Sequence, residues 1–213
     1  MTLLSREINR QIGVIIDRRG EILFVIVGDT QGILIPELSD YPTAGGRLRG
    51  LRLVHTHLKD EPLTNDDLTD LALLRLDAVA ALGVLPDGFP GRIYLAHLLP
   101  PNPAGHPWML IPPMPFHQLD VDAEEFVTAL EDEMTRAQSE TFDIKDKREK
   151  AMLVSVMPKA SKAAQEEAME ELRELAESAD VIVLDIVKQR PDRINPRTLM
   201  GEGRLKDVII SAL

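Results

Sequence analysis

The chain has 213 residues, 44% hydrophobic and 28% charged, which fits a folded globular protein and excludes the disordered and fibrous classes. Aromatics are only 4%, so a core must be built from Leu, Ile, Val, Ala and Met, and the absence of cysteine excludes disulfides and thiolate-bound zinc and predicts a reducing, cytoplasmic setting. A net charge of −11 argues against broad, non-specific nucleic-acid binding; with no signal peptide over residues 1–7 and no apolar run of bilayer length, no membrane partner is expected.

In chain order, Ile12–Asp17 and Glu21–Val27 are strand-like runs joined by the turn signal Asp17-Arg-Arg-Gly20. Gln31–Pro36 predicts a third short strand ended by proline. A polar loop from Ser39 to Gly50 leads into Leu51-Arg-Leu-Val-His-Thr-His57, where Leu51, Leu53, His55 and His57 share one face of a strand. From Thr64, the residues Leu68, Leu71, Ala72, Leu76, Val79 and Ala80 recur at helical spacing and predict a helix that Gly83 stops. Arg92–Leu99 reads as a strand. Repeated proline in Pro100-Pro-Asn-Pro-Ala-Gly-His-Pro107 and Pro112-Pro-Met-Pro115 excludes regular helix and predicts an extended surface segment. A helix resumes at Asp122, with Phe126, Leu130 and Met134 at i+4 spacing.

The charge-dense stretch Glu140–Lys150 divides the chain into domains 1–143 and 150–213. Beyond it, Met152–Val156 reads as a strand, Ser161–Ser178 as a helix and Val181–Val187 as a strand, an order that implies a parallel pair with a crossover. Gly201-Glu-Gly203 precedes a last amphipathic stretch, Leu205–Leu213. A two-stranded parallel unit is too small to stand alone, so the natural chain is expected to continue beyond Leu213.

Two groups of side chains carry chemistry. His55 and His57, two residues apart on a strand, can converge on one point, and Asp67 can supply a third ligand. Two imidazoles and a carboxylate suit zinc with an open fourth position, with Thr64 as a hydroxyl beside it. The same residues also read as a capping box, Thr64-Asn-Asp-Asp67, next to ordinary half-buried strand histidines. Both hold together if one carboxylate caps and ligates. His97, His106 and His117 lack partner spacing and read as core or loop residues, and methionines such as Met152 and Met157 as core filler. The second group is Lys188, Arg190, Arg193, Arg197, Arg204 and Lys206, opposed only by Asp192 and Glu202. It is either a phosphate-backbone contact or a solvated loop. Gly201-Glu-Gly203-Arg204 is likewise either an anion site or a tight turn into a helix.

His55-x-His57 followed by Thr64-x-x-Asp67 resembles the motif of the JAB/MPN (JAMM) metalloprotease fold and its RadC-type relatives, which reads H-x-H-P, a spacer, then S-x-x-D. Val14-Ile-Ile-Asp17, Gly20 and Ile33–Pro36 are similar to the RadC-type strands. The resemblance implies a mixed-sheet α/β first domain with His55, His57 and Asp67 as zinc ligands and Thr64 in place of the serine. Leu58 stands where the family has proline, and the spacer is one residue shorter. The family's upstream glutamate has Glu7 and Glu21 as its counterparts, neither at the family's offset. On this resemblance the chain would be a zinc-dependent (iso)peptidase or amide hydrolase.

A second resemblance covers the rest. Ala151–Val156, Glu170–Ala176, Val187-Lys-Gln-Arg190 and Asn195-Pro-Arg-Thr-Leu-Met-Gly-Glu-Gly-Arg-Leu205 resemble the opening of the HflX family of ribosome-associated GTPases, which reads Q-R, a short loop, then P-x-T/Y-x-x-G-x-G-K; Arg204 stands for the lysine. A longer HflX subgroup is similar over Arg47–His57 and Leu68–Asp77 too, so the resemblance spans essentially the whole chain. It implies an incomplete βαβ HflX N-terminal domain and a regulatory, ribosome-docking role. The six basic residues would contact rRNA of the large ribosomal subunit, and a G domain of the same parent chain would be a further partner. No G-x-x-x-x-G-K-[ST] loop occurs in the sequence, so GTP and magnesium would belong to that G domain and this chain is not expected to hydrolyse GTP. An exposed sheet edge makes a homodimer a further expectation.

Overall fold

A computed structural model describes the chain except residues 42, 44–46, 101, 103–106, 143–147, 197, 212 and 213. It divides into two compact units, Met1–Phe142 and Asp143–Leu213. Together they hold a mixed six-stranded sheet and a small parallel one, an α/β architecture.

The first unit runs α1 (Thr2–Ile8), β1 (Ile12–Asp17), β2 (Ile22–Val27), β3 (Leu51–His57), α2 (Asn65–Leu73), β4 (Ala78–Val84), β5 (Pro90–Leu98), β6 (Trp108–Pro115), a 3-10 turn at Phe116–Gln118 and α3 (Ala123–Phe142). The strands lie in the order β2-β1-β3-β4-β5-β6. Only β3 and β4 are parallel, because α2 carries the chain back between them; every other pair is antiparallel. Alternation on β3 puts Leu51 and Leu53 into the core with Ile15, Leu71, Leu76, Val79 and Ala96, and continues that face into His55 and His57.

Three local expectations are corrected. The helix from Thr64 ends at Leu73, and Val79 and Ala80 belong to β4 instead. Arg75, in the left-handed region at φ 50°, turns the chain out of the helix, and the amides of Arg75 and Leu76 close on the carbonyls of Ala72 and Leu71. Ala78–Val84 is buried along its whole length, as a central strand must be, and such a run has no periodicity to separate it from a buried helix. Residues 31–36 form no strand. Asp29 closes a turn there, its carboxylate accepting from the amides of Gln31 and Gly32, and Leu34 points outward. The proline-rich 108–115 segment is extended as expected but is also a strand, β6, at the sheet edge where proline's missing donor is tolerated. Helix α1 had no expectation attached to it. At seven residues it is too short to show a period, and Ser5 secures it by hydrogen bonding with Thr56 at 2.8 Å.

The second unit runs β7 (Lys150–Val156), α4 (Lys162–Ser178), β8 (Ile182–Gln189) and α5 (Glu202–Ser211). β7 and β8 pair in parallel, Val154 opposite Val187, with α4 as the crossover. Ser161 caps α4 by accepting from the Ala164 amide. Gln165 on α4 donates to the carbonyls of Gln189 (3.0 Å) and Ser155 (3.3 Å), tying the helix start to both strand ends. Among the described residues, no helix is long and apolar enough to cross a membrane.

Candidate metal centre

β3 delivers both histidines to one face, and α2 delivers the carboxylate. His55 and His57 are 0% and 2% exposed. Their Nε2 atoms lie 3.0 Å apart, with ring centroids 4.8 Å apart at 63°. Asp67 Oδ1 is 3.1 Å from His55 Nε2, and Oδ2 is 3.4 Å from His57 Nε2. Among the described residues this is the one cluster of three histidine, aspartate or glutamate side chains with ligand atoms within 4.8 Å of one another.

The orientation of each group has a local cause. Thr64 is the N-cap of α2, its hydroxyl accepting from the Asp67 amide, while Asp67 Oδ2 accepts from the Thr64 amide at 2.6 Å and hydroxyl at 2.7 Å. This capping box fixes the carboxylate, so the cap and the convergent carboxylate are one side chain. His57 Nδ1 lies 3.1 Å from the Glu61 carbonyl. A carbonyl can only accept, so Nδ1 carries a proton and the neutral ring presents its Nε2 lone pair to the cluster. His55 Nδ1 is buried with no hydrogen-bond partner. The sheet gives the histidines room: Gly13 sits opposite His55 on β1 and Ala81 on β4, two of the smallest residues.

The electrostatics couple these groups. For His57, burial works against the charged form, but the hydrogen bond and charge of Asp67, helped by Glu61, outweigh it and raise the pKa above the ordinary imidazole value. For Asp67, burial pushes the pKa up, and hydrogen bonds from His55, His57 and Thr64 overcome it and hold the carboxyl well below the usual range. Asp67 is therefore an anion facing two nitrogens, a donor set that suits a borderline divalent metal such as zinc.

Neither sequence candidate for a nearby glutamate reaches the cluster. Glu21 closes the β1–β2 turn, at the Leu51 end of β3. Glu7 lies on α1, whose Ser5 contacts Thr56 and so covers the sheet face opposite the histidines. The remaining histidines stand apart. His97 is buried against Phe126 at 5.0 Å, His117 lies in the exposed 3-10 turn, and His106 falls outside the described residues.

The basic residues sit in the second unit. Lys188, Arg190, Arg193 and Arg204 are exposed and Lys206 is half-buried, while Arg197 lies outside the described residues. Arg204 reaches Asp207 at 3.5 Å. The signal sequence reading missed was polar and buried: Asp77, fully enclosed, accepts from Arg18 Nε at 2.7 Å and from the Gly50 amide at 2.9 Å. Nothing in its local sequence marks it, because both donors come from distant turns.

No solved structure matches the chain. Residues 166–212, from within α4 to the end of α5, match the family described as GTP-binding GTPase N-terminal, and the match supports a GTPase N-terminal region over this stretch.

Proposed function

We propose that this chain is the N-terminal regulatory and ribosome-docking part of an HflX-type GTP-binding protein. The carrying observation is the family match over residues 166–212. The β7-α4-β8 order and the run from Gln189-Arg190 to Gly201-Glu-Gly203-Arg204 support the finer, HflX-type reading. In this reading Lys188, Arg190, Arg193, Arg197, Arg204 and Lys206 meet rRNA of the large ribosomal subunit, and the mostly exposed placement of the described ones suits a phosphate contact. GTP and magnesium belong to a separate G domain, since the sequence contains no phosphate loop. The test is co-sedimentation of the chain with purified large ribosomal subunits. Salt-sensitive binding supports the proposal, and a chain that stays in the supernatant at low salt overturns it.

A second reading concerns the first unit: a JAB/MPN-like, RadC-related domain that holds zinc through His55, His57 and Asp67. The favouring observation is the convergence of both Nε2 atoms and the Asp67 carboxylate, with His57 already locked from behind by the Glu61 carbonyl. Zinc there would supply a Lewis acid and a link between β3 and α2. Both histidines are enclosed, and no glutamate joins the cluster among the described residues. Metal holding therefore has more support than amide hydrolysis. Metal analysis of the purified protein tests it: bound zinc that vanishes in His55→Ala supports the reading, and protein that takes up none from saturating zinc sinks it.

A further inference from the structure

Residues 58–63 carry the chain from His57 on β3 to the cap of α2, so they decide where the Glu61 carbonyl lies behind the histidine. Lys59, Asp60, Glu61 and Pro62 are exposed, which leaves them little packing of their own. Asp60 supplies what holds them. The Glu61 amide donates to the Lys59 carbonyl at 2.9 Å, a three-residue turn with Asp60 at its centre. Asp60 Oδ1 accepts from the Arg92 amide at 3.0 Å, and the hydroxyl of the buried Tyr94 stands 3.2 Å from the Asp60 carbonyl and 3.3 Å from Oδ1. Strand β4 is shaped for this contact. Gly83 lies opposite His57 in the register, and a Cβ there would collide with Oδ1 and Cα of Asp60. A Cβ at Gly91 would crowd the same carboxylate at 3.1 Å.

The consequence falls on His57. In the neutral ring two acceptors compete for one proton: the Glu61 carbonyl lies 3.1 Å from Nδ1, and Asp67 Oδ2 lies 3.4 Å from Nε2. Asp67 Oδ2 is already occupied by the Thr64 amide and hydroxyl. Which nitrogen keeps the proton is set by the hydrogen bond the other end of the ring makes. The shorter contact, to a carbonyl that can only accept, puts it on Nδ1 and leaves Nε2 bare toward the cluster. Were the turn to drift, Asp67 would draw the proton onto Nε2, and the ring could no longer ligate through that atom.

We propose that Asp60 is a positioning residue of the metal centre. Seated against Gly83 and Gly91 and held by Arg92 and Tyr94, it fixes the Glu61 carbonyl that keeps His57 in the Nδ1–H form, the form that offers Nε2 to a divalent metal. The proposal rests on the metal-holding reading for its consequence, and its first measurement needs no metal.

Long-range proton–nitrogen NMR spectra of the histidine rings test it, recorded on the chelator-treated full chain at alkaline pH, where the rings are neutral. Wild-type His57 should carry its proton on Nδ1. Asp60→Ala should move it wholly or partly to Nε2, while His97, whose Nδ1 meets the Leu98 carbonyl at 2.8 Å, stays unchanged. Asp60→Asn, whose amide oxygen accepts from the same donors, should keep the wild-type form, and Gly83→Ala should reproduce Asp60→Ala. If Gly83→Ala does not fold, Tyr94→Phe, which keeps the ring and loses the hydroxyl, should still shift part of the His57 population. In competition with a chelator, zinc affinity should fall at least about tenfold in Asp60→Ala and stay within about threefold in Asp60→Asn. A residue that only held the fold together would lower the unfolding midpoint without moving the ring proton. Wild-type His57 protonated on Nε2, an unmoved proton in Asp60→Ala, or equal zinc affinity in wild type and Asp60→Ala overturns the proposal. A chain that takes up no zinc at all defeats the metal-holding reading alone, because the ring proton still decides the role of Asp60.

Discussion

Thr64 and Asp67 hold each other across the first turn of α2: the Asp67 carboxylate takes the Thr64 amide and hydroxyl on Oδ2, at 2.6 and 2.7 Å. That leaves Oδ1 turned to His55, at 3.1 Å. The arrangement makes helix initiation and the histidine cluster a single structural event, because the group that starts α2 is the group that meets β3.

Thr64→Ala should therefore cost both stability and metal. Loss of an N-cap destabilises by about 1 kcal/mol, and loss of a group orienting a ligand weakens metal binding by about 10- to 100-fold. Thr64→Ser, which keeps the hydroxyl, should recover both. Trp108, the single tryptophan, lies in the first unit, so its fluorescence in a urea titration follows the unfolding of that unit. Wild-type stability in Thr64→Ala would show that the cap contributes nothing.

Equilibrium dialysis against zinc addresses the ligands directly. Wild-type protein should take up one equivalent, and His55→Ala, His57→Ala and Asp67→Asn should each lose it. Asp67→Asn is the sharpest of these, since the amide retains an oxygen for the cap while giving up the negative charge. Undiminished zinc in all three variants moves the site elsewhere.

Asp77 is a stability site. It is fully enclosed and receives Arg18 Nε, Arg18 Nη2 and the Gly50 amide, while Arg18 also reaches Glu131 on α3 at 2.8 Å. Asp77→Ala strands a backbone amide and a charge. Arg18 is 37% exposed and keeps Glu131, so solvent moderates the loss, and about 2–3 kcal/mol is expected. The Trp108 unfolding midpoint measures it, and a change below about 0.5 kcal/mol, the range of ordinary surface substitutions, contradicts the assignment.

In the second unit, Gln165→Leu should loosen the ends of β7 and β8. The variant keeps the volume but removes the donor shared by the carbonyls of Ser155 and Gln189, the second of which keeps the Met157 amide at 3.0 Å, so a loss of about 0.5–1.5 kcal/mol is expected. Hydrogen exchange should accelerate at the amides of residues 150–156 and 182–189 and stay unchanged in the first unit. Uniform exchange across the chain would contradict this local role.

For ribosome docking, the combined substitution of Lys188, Arg190 and Arg193 by Ala should lower affinity for large ribosomal subunits. It should also flatten the dependence of log affinity on log salt by about 2 to 3, close to one per phosphate contact removed. An unchanged slope takes these residues out of the interface.

Much of this was legible in the linear chain, for reasons that are local. His55 and His57 share a face because strand alternation is fixed by backbone geometry, and Thr64 to Asp67 spells a capping box within one turn. The β7-α4-β8 pattern is equally local, as are the proline runs that keep 108–115 out of a helix. What the sequence determined by itself was thus the identity and spacing of the groups. Only the tertiary structure decided the rest. Ala78–Val84 became a strand because it lies between β3 and β5, a fact no property of its own residues encodes. Residues 31–36 leave the sheet through the turn that Asp29 closes, its carboxylate accepting from the amides of Gln31 and Gly32. Asp77 acquired its partners from Arg18 and Gly50, far off in sequence. Short-range steric rules act along the chain, whereas burial and polar satisfaction depend on which distant segments arrive, and that is settled by the packed fold.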